Sequence, residues 1–297
     1  MRRKQIAGLI LACVLTILTV KSNLTTVAAE PENWYSETVD TTVYVGRYNS
    51  LALDADGYPH ISYYDSHPSF EDLKYAFQNS SGWFTETAVS GGNVGKYNSL
   101  ALDANGNAHV SYRNETPGEE DLEYAFRDAS GWSSETVDSG GVGVAVGAHT
   151  SLVLDTAGYP HISYANSSGG DSDLRYAFQN STGWYPETVD SADQVGGYTS
   201  LALDATGYPH ISYTDAYNDE LKYAFQNSTG WYPEAIGPIG PSGGFTSLAL
   251  DAADYAHISY YNSASGYLMY AYQNSTGWYT EAVNTEYGTH TSLALDA

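Results

Sequence analysis

The sequence predicts an all-β propeller built of four-stranded blades, with five complete blades and half of a sixth. A five-bladed ring with two spare strands is the alternative. Three observations carry the prediction. The element S-L-x-L-D recurs at Ser50, Ser99, Ser151, Ser200, Ser247 and Ser292, 45 to 52 residues apart. Each period holds four short segments separated by turn signals. Within a segment, large and small residues alternate, as on a strand whose successive side chains point to opposite faces.

The first segment of each period is S-L-A-L-D. A D-A-x-G turn follows, with Gly57, Gly106, Gly158 and Gly207 placed to take positive φ. The second segment is H-[IV]-S-Y, as at His60–Tyr63, and the third is of the type L-K-Y-A-F, as at Leu73–Phe77. N-S-S/T-G makes the next tight turn. The fourth segment opens on Trp83, Trp132, Trp184, Trp231 or Trp278 and continues through E-T-V or a variant of it. No helical periodicity is present after residue 30. The alternation places both leucines of the first strand on one face. It groups Ile with Tyr on the second strand, and Leu, Tyr and Phe on the third. One face of each sheet is therefore expected to carry the large residues and nest on the small-residue face of the next blade.

The chain reaches the repeats through a fourth-strand segment, Trp34–Val39, and runs out at a first-strand segment, Ser292–Asp296. There are six Trp segments and six S-L-x-L-D segments but five H-[IV]-S-Y segments. With S-L-A-L-D innermost, both outlying segments are expected to share one blade that lacks two strands, as in a truncated six-bladed ring. The domain reading is residues 1–29 as signal peptide or N-terminal anchor and 30–297 as propeller, its repeats starting near 50, 99, 151, 200 and 247 with a partial one at 292.

The export signal is read from Arg2, Arg3 and Lys4, the apolar run from Ile6 to Val20, and the small residues Val27, Ala28 and Ala29. Cys13, the one cysteine, sits in that run in a sequence loosely like a lipoprotein box. Past the signal no cysteine remains, so stability is expected from burial and pairing without disulfides. The chain carries 11 basic and 35 acidic residues. Four of the basic residues and none of the acidic ones lie in the first 29, which leaves 7 against 35, a net of −28. Such a surface repels nucleic acid and anionic lipid. It suits an extracellular or cell-surface protein with no membrane span once the signal is cleaved.

The pattern L-A-L-D-x-x-G-x-x-H-I-S-Y-x-D followed by D-L-x-Y-A, across residues 34–297, resembles the repeats of exported bacterial and archaeal β-propeller proteins. The layout is also similar to six-bladed fungal-type lectins and to sialidase-like propellers. The latter carry the Asp-box S-x-D-x-G-x-x-W, which no copy here matches: residues 54–60 read D-A-D-G-Y-P-H. That departure weakens any carry-over of glycosidase chemistry.

Residues that recur in every copy read as scaffold. His60, His109, His161, His210 and His257 are expected to hydrogen-bond between blades. Geometry opposes a shared metal, because each lies one strand out from the axis. The better candidates vary between copies and fall on the face formed by the fourth-to-first and second-to-third connections. Arg47, Tyr48, Lys96, Tyr97, His149, Tyr198, Phe245 and His290 surround the central opening there, with Arg113 and Tyr217 on adjoining loops. Aromatics with a few polar groups suit a sugar, whose apolar face stacks while its hydroxyls hydrogen-bond. Glu115, Glu119, Glu120 and Asp121 form an acidic loop of the type that binds Ca2+, although the spacing matches no EF-hand. No other cofactor is implied. Asn79, Asn114, Asn166, Asn180, Asn227 and Asn274 stand in glycosylation sequons.

Catalysis has thin support. Acids are abundant, so a pair at glycosidase spacing means little. A sialidase-like site needs clustered arginines, and Arg127 and Arg175 belong to third strands, apart from Arg47 and Arg113. The expected function is an exported, non-catalytic binding module for a glycan or another extracellular polymer or surface protein. The alternatives are a glycoside-acting, sialidase-like enzyme and a structural or adhesive surface protein.

Overall fold

A computed structural model describes residues 35–141, 143–284 and 289–296. Among them lie five antiparallel four-stranded sheets and no helix. The described residues form an all-β propeller of five such blades. Blade 1 holds β1 (Val45–Leu53), β2 (Pro59–Asp65), β3 (Leu73–Asn79) and β4 (Gly82–Val89). Blade 2 holds β5 (Val94–Leu102), β6 (Ala108–Asn114), β7 (Leu122–Asp128) and β8 (Gly131–Asp138). Blade 3 holds β9 (Val144–Leu154), β10 (Pro160–Ser168), β11 (Asp171–Asn180) and β12 (Gly183–Asp190). Blade 4 holds β13 (Val195–Leu203), β14 (Pro209–Asp215), β15 (Glu220–Asn227) and β16 (Gly230–Pro238). Blade 5 holds β17 (Gly244–Leu250), β18 (Ala256–Asn262), β19 (Tyr267–Asn274) and β20 (Gly277–Asn284). In every sheet the strands follow chain order.

The strand register corrects the expected division of faces. Directly opposed residues share a face, and Ile61 pairs with Ala76 while Ser62 pairs with Tyr75. Each face is therefore mixed. One carries Leu51, Ile61 and Ala76; the other carries Ser50, Ser62 and Tyr75, then Ala52, His60 and Phe77. Blades still nest, by complementarity within each face. Leu73 and Tyr75 of blade 1 pack on Leu100, Val110, Tyr112 and Ala125 of blade 2. The same set recurs between blades 2 and 3, 3 and 4, and 4 and 5. The third-strand tyrosine also meets the next blade's tryptophan edge-on, as Tyr75 meets Trp132 at 5.2 Å.

Polar groups lock the interfaces. The serine of S-L-x-L-D accepts a backbone N–H from the next innermost strand: Leu100 N to Ser50, Leu152 N to Ser99, Leu201 N to Ser151 and Leu248 N to Ser200, at 3.0–3.1 Å. These strands adjoin around the axis without sharing a sheet, so a side chain satisfies the donor. Farther out, each Trp indole N–H donates to a glutamate of the preceding blade, as in Trp132 to Glu86, Trp184 to Glu135, Trp231 to Glu187 and Trp278 to Glu234.

The histidines work within blades, not between them as expected. His60 Nδ1 bonds the Tyr75 hydroxyl of the adjacent strand, and its Nε2 lies 3.5 Å from Asp54 Oδ2. The same Asp54 accepts the backbone N–H of Asp56 and Tyr58 through Oδ1, closing the D-A-x-G turn. The reason is the register: Phe77 is the cross-strand neighbour of His60, which brings the nearby Tyr75 hydroxyl within reach.

The two outlying segments extend the interface pattern without forming strands. Glu37 accepts the Trp83 indole N–H at 2.8 Å, the role of a fourth-strand glutamate. Leu293 N donates to Ser247 Oγ at 2.9 Å, the role of a following first strand. Tyr35–Val39 and Ser292–Asp296 are nevertheless irregular, contrary to expectation, because neither is paired to a neighbouring strand in the described residues. Residues 1–29 and Trp34 lie outside the described residues, and with them the expected signal and Cys13. Among the described residues no helix is long and apolar enough to cross a membrane.

Candidate functional site: an aromatic funnel on the axis

Every first strand opens with the same irregularity. Lys96 pairs with Arg113 and Ser99 with Ser111, so three steps on β5 oppose two on β6. One extra residue is accommodated, a β-bulge. The same count holds in the other four blades. The bulge places an aromatic residue in the left-handed region each time: Tyr48 at φ 51°, Tyr97 at 54°, His149 at 55°, Tyr198 at 52° and Phe245 at 53°. Bulky side chains are rare there, and the conformation costs about 1–2 kcal/mol per residue.

The next blade holds this geometry. Thr150 Oγ1 donates to the Tyr97 carbonyl at 2.6 Å, Thr199 to that of His149 at 2.7 Å, Thr246 to that of Tyr198 at 2.8 Å and Thr291 to that of Phe245 at 2.6 Å. A buried second-strand serine backs the threonine in three cases, Ser111 to Thr150, Ser163 to Thr199 and Ser212 with Thr246. At the first boundary asparagine replaces threonine: Ser62 donates to Asn98 Oδ1, and Asn98 Nδ2 bonds the Gly95 carbonyl.

The six aromatics form a continuous arc of touching rings. Centroids lie 4.7 Å apart for Tyr48–Tyr97 and Tyr97–His149, then 4.4, 4.3 and 4.2 Å for His149–Tyr198, Tyr198–Phe245 and Phe245–His290. Together with Asn49, Asn98, Thr150, Thr199, Thr246 and Thr291 they line a funnel of about 330 Å³. Among the described residues no carboxylate lines it.

Its wall is weakly charged. Burial pushes the Tyr97 phenol up to about 12, reinforced by Tyr48. Burial, then the positive charge of Arg113, pulls His149 down to about 4, so its imidazole is neutral at pH 7. This has a measurable consequence. A histidine whose folded pKa lies below its unfolded value stabilises fully above pH 6.5, and that contribution is lost as pH falls toward 4. Between pH 7 and 4 the protein is expected to lose about 3 kcal/mol more stability than its His149→Phe variant. Urea unfolding at both pH values checks this, and equal losses would show that folding does not depress the His149 pKa. Phenylalanine is a fair replacement, since Phe245 fills the equivalent position in blade 5.

Of the residues singled out in the sequence, Tyr48, Tyr97, His149, Tyr198, Phe245 and His290 converge. Lys96 and Arg113 sit beside the arc as a cross-strand pair, and both engage Glu115. Arg47 and Tyr217 do not line the funnel; Tyr217 is solvent-exposed on the β14–β15 loop. The Asn and Thr positions after each aromatic escaped the sequence reading. Their signal was a polar residue recurring immediately before S-L-x-L-D.

The acidic loop is not gathered around one point. Glu115 pairs with Lys96 and Arg113, Glu119 takes a long bond from Asn114, and the Glu120 carbonyl accepts the Val146 N–H. Among the described residues no three His, Cys, Asp or Glu side chains converge to hold a metal, so the expected Ca2+ site is not assembled from Glu115, Glu119, Glu120 and Asp121.

No family model matches the chain, and no curated protein matches it. Solved structures do. AofleA from Arthrobotrys oligospora aligns with a TM-score of 0.55 at 10% identity, over 84% of this chain and 76% of that one. The GH93 α-L-arabinofuranosidase of Fusarium graminearum, solved with arabinobiose, gives 0.54 at 12% identity over 84% of each chain. The Hadza microbial sialidase Hz136 gives 0.56 at 12% identity, over 80% of this chain and 58% of that one. At such identities the likeness is one of fold.

Proposed function

We propose that the protein is an extracellular, non-catalytic propeller that binds a glycan, or another neutral surface polymer, in the axial funnel. The observation that carries the reading is the arc of aromatic residues held in left-handed backbone by threonines of neighbouring blades. Backbone strain maintained at equivalent points around one opening is the kind of cost that functional surfaces carry. Touching aromatic rings offer apolar faces to pyranose C–H groups, while the Asn and Thr side chains at the same wall suit hydroxyls. The wall lacks the paired carboxylates that glycoside hydrolysis uses, and Glu115, beside it, is committed to Lys96 and Arg113. That two of the similar folds are named as a sialidase and an arabinofuranosidase agrees with a carbohydrate ligand.

A glycan array run beside a hydrolysis screen on the same sugars tests the proposal. Binding without turnover is expected. Turnover would make the protein an enzyme, and neither binding nor turnover would leave a structural or adhesive role.

A further inference from the structure

Blade 2 departs from its neighbours at two points that meet in one cavity. In the other four blades an aromatic of the fourth strand covers the ring at the end of the third. Phe84 lies on Phe77, Tyr185 on Phe178, Tyr232 on Phe225 and Tyr279 on Tyr272, with centroids 5.2–5.4 Å apart and planes within 17–19°. In blade 2 the cross-strand partner of Phe126 is Ser133, so no fourth-strand ring covers it.

The second departure is Asn107, which stands where the other blades have Tyr58, Tyr159, Tyr208 and Tyr255. Its amide donates to Asp103 Oδ2 at 2.8 Å. In the other blades the equivalent oxygen faces histidine Nε2 at 3.5–3.7 Å. Here the separation is 3.9 Å, and His109 Nε2 is buried with no hydrogen-bond partner. The His109 ring has moved onto Phe126, at 4.8 Å and 59°, against 6.0–6.4 Å and 18–28° in the other four blades.

Phe126, Ser133 and His109 all line a cavity of about 500 Å³ between blades 2 and 3, with Glu135, Tyr159 and Gln179 completing its wall. It lies at the β9–β10 turn, on the side of the ring away from the funnel. Glu135 Oε1 already accepts from Trp184 and Gln179, while Oε2 takes no bond among the described residues. We propose that this cavity is a second ligand site, which seats one neutral hexopyranose ring with its C–H face on Phe126 and its hydroxyls on the free oxygen of Glu135. An aromatic ligand would offer the free Glu135 oxygen no donor. An acidic sugar would meet the Glu135 carboxylate.

The test is titration calorimetry of the protein with glucose, galactose, mannose and fucose as separate probes. At least one is expected to bind. Ser133→Tyr restores the covering ring of blades 3, 4 and 5, and should weaken binding roughly tenfold or more by occupying the stacking face. Glu135→Gln should also weaken it, whereas Ser133→Ala should not. Melting curves confirm that each variant is folded. Binding that is lost on replacing Tyr97 and Tyr198 but survives Ser133→Tyr belongs to the funnel and overturns the second site alone, so failure here and failure of the funnel reading are separable. Absence of binding by all four sugars, or binding that survives both Ser133→Tyr and Glu135→Gln, would overturn the proposal.

Discussion

Replacing Tyr176 by alanine is expected to lower stability by about 3–5 kcal/mol, the usual range for deleting a large buried aromatic. The ring is 2% exposed, lies edge-on to Trp231 of the next blade at 5.3 Å, and packs in a cluster with Ile211, Tyr213 and Ala224. Its hydroxyl is the partner of His161 Nδ1, so the deletion also strands a buried nitrogen. Tyr176→Phe isolates that second effect and should cost about 1–3 kcal/mol. Tyr185, 44% exposed on the outer strand of the same blade, is the control, and its replacement by alanine should cost under about 1 kcal/mol. Urea unfolding midpoints with an unchanged slope measure all three. A loss at Tyr176 no larger than that at Tyr185 would mean that the blades are not held by nesting of the third-strand tyrosine.

The second large effect separates strain from packing. Gly46 and Gly196 open the bulge in blades 1 and 4 with nearly the same conformation, φ +95° and +93°. A Cβ at Gly46 would meet nothing within 4 Å, whereas one at Gly196 would lie 2.8 Å from the Asp173 carbonyl oxygen and 2.9 Å from the Leu174 Cα. Gly46→Ala should therefore cost the left-handed strain alone, about 1–2 kcal/mol. Gly196→Ala adds collision with the backbone of blade 3 and should cost about 3 kcal/mol or more. The difference between the two melting shifts measures how closely adjacent blades approach near the axis. Equal shifts would show that the approach at Gly196 relaxes without penalty.

The repeat made most of the architecture legible in advance. The spacing of Ser50, Ser99, Ser151, Ser200 and Ser247, with four segments between turn signals, placed the strands and the order of each sheet. What it could not convey was register. Alternation shows that Tyr75 and Phe77 share a face of their own strand. Only pairing shows that this is the face of Ser62 and His60, not of Ile61. The same missing information turned His60 into an expected between-blade group, when its partners are Tyr75 and Asp54 of its own sheet.

The candidate site was partly legible for a related reason. Tyr48, Tyr97, His149, Tyr198, Phe245 and His290 stood out because they vary at a fixed offset before an invariant element. Their left-handed backbone and the supporting threonines were not visible, because a bulge is a property of two paired strands. The acidic loop drew attention through composition alone, and of its carboxylates Glu115 is committed to Lys96 and Arg113 while Glu119 takes a long bond from Asn114. By contrast, Asn107 and Ser133 were visible departures from the repeat. They passed unremarked because they sit at scaffold positions, on strands and turns away from the variable connections.

The most direct measurement is the affinity for the strongest ligand of the glycan array, compared between the unaltered protein and a Tyr48→Ala, Tyr97→Ala, Tyr198→Ala triple variant. The three rings supply stacking surface on the funnel wall, and a melting curve confirms that the variant is folded. If the funnel is the binding site, affinity falls by roughly a hundredfold or more, about 1 kcal/mol or somewhat more for each lost stacking surface. Undiminished binding by the folded triple variant would place the ligand elsewhere and contradict the assignment of the aromatic funnel.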